Sequence, residues 1–414
     1  MKTAIAAVLT LLGLPLFATA ALSAILYYRD TSLESVILNF YELSQKPLLT
    51  SLPLFAFGGY LLARSRAPVR LVELANALVG SLPGGLAIVS VIACALVTAI
   101  TGASGVTIIA LGGLLLPALL ANGYKENFSV GLLTTGGSLG MLFPPSLPVI
   151  LFGVISETPV DELFVAGILP GLVILILVSL YAVRGTQHGR APRTPFSWSR
   201  LRRATIGAIW EVPIPLGVVG GIFSGFFTVS EAAVVTTTYI VILTTLIRRD
   251  IRFAELLTIA RDSMVLIGGI LMILGMTMAV NNAIIDEEIP QRLFEWAQGY
   301  MTHRHTFLIT LNVFLLLVGC MIDIYAATVL LVPLIVPLAQ NYGVDMRHLG
   351  IIFLANLGIG YVTPPVGLNL FIASVRFKRP ILQIYWATLP FIAILLVALA
   401  IITFVPGLSL WLLD

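Results

Sequence analysis

Residues 137–150 read GSLGMLFPPSLPVI, and residues 357–370 read LGIGYVTPPVGLNL. Both stretches are apolar enough for a membrane interior, yet each carries a Pro-Pro pair. A proline inside a helix removes a backbone donor and costs about 3 kcal/mol. Pro144, Pro145, Pro364 and Pro365 therefore mark two interrupted helices. Irregular backbone survives at membrane depth only where protein or a watery cavity surrounds it, so the interruptions need a purpose.

The spacing between the two stretches, 220 positions, extends outward without gaps. Pro117 pairs with Pro337, Gly123 with Gly343, Gly140 with Gly360, and Leu169-Pro170 with Leu389-Pro390. Upstream, at an offset of 222, Pro68, Leu71, Glu73 and Ala75 match Pro290, Leu293, Glu295 and Ala297. A short amphipathic arm thus precedes each repeat.

Composition sets the solvent. The 414 residues are 58% hydrophobic and 10% charged, with net charge +3. Soluble domains are about one-quarter charged, so this is a polytopic, all-α membrane protein. Nucleic-acid binding is not indicated. Cys94 and Cys320 lie in apolar runs without a metal or redox motif, and His188, His303, His305 and His348 lack metal-ligand spacing. There is no P-loop, so ATP hydrolysis is not encoded. The N-terminal stretch imitates a signal peptide up to Ala20, but its apolar run continues to Tyr28 and reads as a retained first helix.

Apolar runs place helices at about 4–27, 48–64, 127–156, 163–183, 210–227, 230–247, 263–284, 347–375 and 381–405. Two further runs, 85–122 and 304–342, are too long for single spans of about 20 residues. Read as re-entrant helical hairpins, they leave nine crossings, with the N-terminus cytoplasmic and the C-terminus periplasmic. That arrangement puts 18 of the 23 Lys and Arg residues inside, as the positive-inside rule requires. The loop from Arg184 to Ala204 has no acidic residue and reads as a topological anchor that touches anionic headgroups. Asn281 and Asn282 end a span and read as caps.

The charge-derived topology runs the helix at 48–64 inward and its counterpart at 263–284 outward, so the halves are inverted repeats. Inverted repeats with matching broken helices are the sequence signature of secondary transporters. The expected division is scaffold helices and first arm at 1–84, a first transport half at 85–156, and scaffold, basic loop and second arm at 157–303. A second transport half follows at 304–375, then a C-terminal scaffold helix at 376–414.

The site is expected where hairpin tips face the breaks. The first tip, Thr101, Gly102, Ser104, Gly105 and Thr107, faces Ser138, Gly140, Pro144, Pro145 and Ser146. The second tip, with Asp323 and Thr328, faces Asn356, Gly360, Thr363, Pro364, Pro365 and Asn369. Freed carbonyls and hydroxyls are hard ligands suited to sodium, here near Thr101, Ser104, Gly140, Asp323, Gly360 and Thr363. Half-helix N-termini offer a positive dipole end to an anion. Asp323 reads either as a cation ligand or as a cap whose carboxylate bonds tip amides. Ser146 and Asn369 read equally as site residues or local caps.

The stretches TGASGVTIIALGGLLLPALLANGY, GSLGMLFPPSLPVILFG, FSGFFTVSEAA and LGIGYVTPPVGLNLFIAS resemble the large membrane subunit of tripartite ATP-independent periplasmic (TRAP) transporters. The resemblance covers nearly the whole chain. It implies an elevator-type transporter of the inner membrane, coupled to sodium, with a periplasmic substrate-binding protein and a small four-helix membrane subunit as partners. Carboxylate-bearing substrates are typical, C4-dicarboxylates among them. The chain leaves no room for four extra helices, so the small subunit is expected as a separate polypeptide. Many members have an acidic residue where this chain has Thr107. Two alternatives are a stand-alone anion:sodium symporter, and a membrane-embedded enzyme with Asp323 as its acid.

Overall fold

The computed structural model describes residues 16–28, 45–184, 196–288 and 303–413, with scattered positions in 34–41 and 291–301. The first 15 residues, most of the second arm and residues 185–195 of the basic loop lie outside the described residues. Among the described residues the chain is all helix and turn, without a strand. Six of its helices are long and apolar enough to cross a membrane.

The first half runs α1 (Leu16–Tyr28), α2 (Ser51–Arg64) and the arm helix α3 (Ala67–Val79). A hairpin follows, α4 (Gly85–Thr101) and α5 (Ser104–Ala121), then a broken pair, α6 (Glu126–Gly136) and α7 (Leu147–Ser156). Next come α8 (Val160–Ala166), α9 (Ile168–Arg184), α10 (Trp198–Gly207), α11 (Pro213–Phe223), α12 (Val229–Ile242) and the long α13 (Phe253–Asp286). The second hairpin is α14 (Arg304–Gly319) and α15 (Ile324–Asn341), and its broken pair is α16 (Met346–Gly360) and α17 (Leu368–Phe377). The chain closes with α18 (Ile381–Phe404) and the single turn α19 (Gly407–Leu410).

Both interruptions fall where the prolines put them. Residues 137–146 and 361–367 are turns and bends between half-helices, and both Pro-Pro bonds are cis. The packing of the two halves is matched as well. The outbound hairpin helix α5 packs on α17 of the other half, and its counterpart α15 packs on α7. Gly140 and Gly360 make matched close approaches. A Cβ on Gly140 would stand 2.2 Å from the Ala95 carbonyl oxygen, and one on Gly360 would stand 2.4 Å from the Gly319 carbonyl carbon. Each glycine lets a break lie against the inbound helix of its own hairpin.

Several boundaries differ from those expected. The helix expected over 163–183 is two pieces, α8 and α9, joined at Gly167, where a Cβ would stand 2.2 Å from the Leu142 carbonyl oxygen of the first break. The helix expected over 263–284 begins ten residues earlier and continues to Asp286. The charged pair Arg261-Asp262 does not end it, because Asp262 is neutralised by Arg64 of α2. Asn281 and Asn282 therefore lie within α13 rather than at its end. The span at 230–247 starts on a capping box, Thr228 with Glu231, and its last turn widens to a π-helix over Leu243–Ile247.

Two sets of helices can be traced by their packing, and they also touch one another, α2 on α4 and α13 on α15. α2 packs on α12 and α13, α1 on α13, and α11 on α12. The hairpins and broken helices form the other group. Within it α18 packs on α6, α9, α16 and α17, and α9 packs on α4.

Candidate transport site

The two halves meet at a polar bridge. Ser104 starts α5, and its hydroxyl donates to Asn369 Oδ1 at 2.8 Å. Asn369 sits in the first turn of α17, and its Nδ2 donates to Ser138 Oγ in the first break at 2.9 Å. Ser104, Ser138 and Asn369 are all buried. One side chain of the second repeat thus satisfies a hairpin tip and a break of the first. Asn369 does this while its backbone amide donates to the Tyr361 carbonyl at 3.1 Å, which pins the second break.

The hairpin tips touch as well. Tyr325 donates from its phenol to the Gly102 carbonyl at 2.8 Å. Gly102 holds φ +65, the left-handed region that closes the two-residue first tip. Asp323 caps α15: its Oδ1 accepts the Tyr325 amide at 2.8 Å and the Ala326 amide at 3.4 Å. Its Oδ2 accepts the Tyr361 hydroxyl at 2.6 Å, and that same oxygen of Tyr361 accepts the Ile324 amide at 3.0 Å. The capping role foreseen for Asp323 is therefore present in the structure.

Beside this cluster lies a cavity of about 260 Å³. Its wall includes Ser104 and Gly105 at the N-terminus of α5, Ile324 and Tyr325 at that of α15, and Leu368 and Ile372 in the first turns of α17. Gly102, Asp323, Tyr361 and Tyr60 of α2 complete its polar lining. Three helix N-termini thus converge on one space. Each brings the positive end of a macrodipole, worth about 0.3–1 kcal/mol to a nearby anion and more when partly buried, while the first amides of α15 are already taken by Tyr361 and Asp323 and the Asn369 amide of α17 by the Tyr361 carbonyl.

The other sequence-named residues divide by location. Thr107 lies 2.8 Å from Thr98 Oγ1, whose hydroxyl also reaches the Gly137 carbonyl at 3.1 Å. That contact ties the first break to its hairpin, behind the cavity. Thr328 and Thr363 turn back onto the carbonyls of Ile324 and Ile359 in their own helices. Thr101 is buried beside Gly59 of α2. Asn356 donates to Asn312 Oδ1 of α14 at 2.7 Å, which joins α16 to the inbound helix of its hairpin. Ser146 is fully buried at the N-cap of α7, and its hydroxyl has no hydrogen-bond partner among the described residues. Gly140 and Gly360 serve close packing, while Pro144, Pro145, Pro364 and Pro365 shape the breaks. The Pro365 carbonyl accepts the Tyr385 hydroxyl.

Part of the backbone expected to be free is closed into turns. The carbonyls of Gly136, Ser138 and Gly140 accept amides three residues ahead, and the Cys320 carbonyl accepts the Gly367 amide at 2.8 Å. Tyr60, Tyr325 and Tyr361 were not foreseen as site residues. Tyr325 is two residues beyond Asp323 and Tyr361 directly follows Gly360, so proximity to the motifs was the only signal available.

The chain matches the family described as "Tripartite ATP-independent periplasmic transporter, DctM component" over residues 3–408. It belongs to the DctM family. Among curated relatives, the C4-dicarboxylate TRAP transporter large permease protein DctM of Pseudomonas aeruginosa is 34% identical, over 95% of this chain and 92% of that one. The ectoine/5-hydroxyectoine TRAP transporter large permease protein UehC of Ruegeria pomeroyi is 31% identical, over 98% and 96%. The isethionate TRAP transporter permease protein DctMQ of Oleidesulfovibrio alaskensis is 31% identical, over 90% of this chain and 59% of that one. The fold is similar to that of the Alcanivorax borkumensis YdaH transporter, with a TM-score of 0.65 at 16% identity, covering 94% of this chain and 88% of that one. As a DctM-family protein, this chain is a multi-pass large permease subunit of a bacterial TRAP transporter. The relatives are named as transporter permeases, not enzymes, which removes the reading of Asp323 as a catalytic acid.

Proposed function

We propose that this DctM-family permease carries out sodium-coupled uptake of an organic anion across the bacterial inner membrane. A periplasmic binding protein delivers the substrate, and a small four-helix membrane subunit completes the complex. The observation that supports this reading is the convergence of three helix N-termini, those of α5, α15 and α17, on one cavity. Such a space suits a carboxylate, and the C4-dicarboxylates carried in the name of one relative fit that class. Sodium would be held by hydroxyl and carbonyl oxygens at the margins, with Ser104, Ser138, Asn369 and Asp323 as the nearest candidates.

The packing supports a two-body, elevator-type division that amends the expected one. α9 and α18 pack on α4, α6 and α16, which supports grouping them with the hairpins and breaks in the proposed moving body. α1, α2, α11, α12 and α13 form the scaffold. The ion pairs among the described residues accord with the expected sorting of charged groups between two faces, because each joins groups on one face; the orientation itself, N-terminus cytoplasmic and C-terminus periplasmic, rests on the positive-inside rule. Arg70 and Arg248 share Glu211, while Arg347 meets Glu162 and Lys46 meets Glu157.

Proteoliposomes holding the chain and its small subunit test the proposal. Uptake is expected only with an inward sodium gradient and a loaded binding protein. Undiminished uptake without binding protein would favour the stand-alone symporter, and uptake indifferent to the gradient would remove sodium coupling.

A further inference from the structure

At one end of the molecule a compact set of ion pairs joins four segments. Arg70, in the first turns of α3, donates to Glu211 Oε1 at 2.6 Å and to both oxygens of Asp250 at 2.8 Å. Glu211 is 1% exposed and also lies 3.6 Å from Arg248. Arg248 in turn donates to the Gly207 carbonyl at the end of α10, and the Arg66 amide donates to Asp250 at 3.2 Å. Arg64 pairs with Asp262 of α13. Glu211, Asp250 and Asp262 are thereby consumed internally.

Helix α10 rides on this knot. It packs on α3, and its sheltered side is Leu201, Ala204 and Ala208. Its open side mixes two kinds of residue. Trp198 is 73% exposed and Ile206 is also exposed, as is Trp210 in the turn just past the helix. Arg200, Arg202 and Arg203 are exposed and have no ion-pair partner among the described residues. No acidic residue occurs between Arg184 and Trp210. On the neighbouring elements, Glu73 of α3 and Glu255 of α13 are the exposed carboxylates, outnumbered by these arginines with Arg252 and Arg261.

Tryptophan seeks the headgroup level of a bilayer, and guanidinium pairs bidentately with phosphate. A helix that offers both on one face, while its other face is fixed to the protein, fits a lipid surface and not water. We infer that α10 is an anionic-phospholipid platform: its arginines bind headgroup phosphates of the cytoplasmic leaflet, and the Arg70–Glu211–Asp250 knot fixes the platform to the arm that leads into the first hairpin. The occupant is lipid because aromatic and aliphatic side chains alternate with the cations, and because a polar partner would leave Trp198 and Ile206 in water.

The test uses the full chain with its small subunit in vesicles and needs no transport. With Trp296, Trp386 and Trp411 replaced by phenylalanine, Trp198 and Trp210 are the remaining tryptophans of the large subunit. A small subunit likewise freed of tryptophan keeps the signal clean. Brominated phosphatidylglycerol is expected to quench their emission more than brominated phosphatidylcholine at equal mole fraction. An arginine near an anionic surface contributes roughly fivefold in affinity. The excess is therefore expected to fall by an order of magnitude or more in R200Q/R202Q/R203Q and to persist in R200K/R202K/R203K, which guards against misfolding of the first variant. Equal quenching by the two lipids in the parent protein, no quenching by either, or an anionic preference unchanged by the glutamine substitutions would overturn the inference.

Discussion

Asn369 ties the two halves together, because both ends of its amide bond residues of the first half. Asn369→Ala leaves two buried hydroxyls without partners, and each unmet group costs about 1–3 kcal/mol. The expected outcome is a lowered thermal midpoint for the purified protein together with lost uptake. Asn369→Asp is expected to keep the shape but place a carboxylate at the α17 N-terminus and weaken anion transport. Glycine substitutions separate packing from propensity. Gly140→Ala and Gly360→Ala drive a methyl into backbone atoms at 2.2 and 2.4 Å, so a loss of about 1–3 kcal/mol or more is expected. Gly217→Ala and Gly220→Ala meet nothing within 4 Å. They are expected to leave thermal unfolding unchanged or slightly improved, since alanine favours a helix over glycine by up to about 1 kcal/mol.

Elements are positioned by charge as well as by apolar packing. Glu211 is a buried acid held by Arg70 and Arg248, and removing one member of a buried pair costs about 3–5 kcal/mol. Arg70→Leu is expected to detach the arm from α11 and the turn after α12, seen as faster proteolysis at residues 207–212 or 248–252. At the other end Asp345 caps α16 by accepting the Arg347 amide at 2.8 Å, while the Arg347 guanidinium also reaches Glu162 in the first turn of α8. The hydrogen bond from Arg347 holds the Asp345 carboxyl below its usual range. A depressed folded pKa gives stability that is complete above the unfolded value near 3.8 and is lost as pH falls through the folded one. The gap in thermal midpoint between the parent and Asp345→Asn is therefore expected at pH 7 and should close in strong acid.

The elements show why some of this was legible in the sequence and some was not. Both breaks could be read because glycine and proline act locally, and the hairpins because their apolar runs exceed a single span. The start of α13 was misjudged because Asp262 looks like a terminus until Arg64, 198 positions away, is known to neutralise it. The Arg70 knot and the Tyr325–Gly102 contact join positions 141–223 apart, and nothing in a local pattern reports such a pairing. Ser104, Ser138 and Asn369 were named from their motifs, but their direct bonding to one another was not visible. Asp323 could be read two ways from its position, and the geometry supplies the cap.

At the scale of the whole molecule, the reciprocal packing of α5 on α17 and α15 on α7 makes each half complete the other. A polar bridge and a tip-to-tip contact then hold the shared seam. The same arrangement brings three helix N-termini to one cavity, and the proposed transport follows from that convergence. A cysteine at Ala103, in the cavity wall, tests it in a chain whose buried Cys94 and Cys320 are replaced. The measurement is the alkylation rate of Ala103→Cys in sodium against potassium, with the loaded binding protein present and absent. Alkylation is expected to slow in sodium and to slow further with the loaded binding protein. A rate unchanged by either, in protein that still takes up substrate, would contradict the placement of the transport site at this cavity.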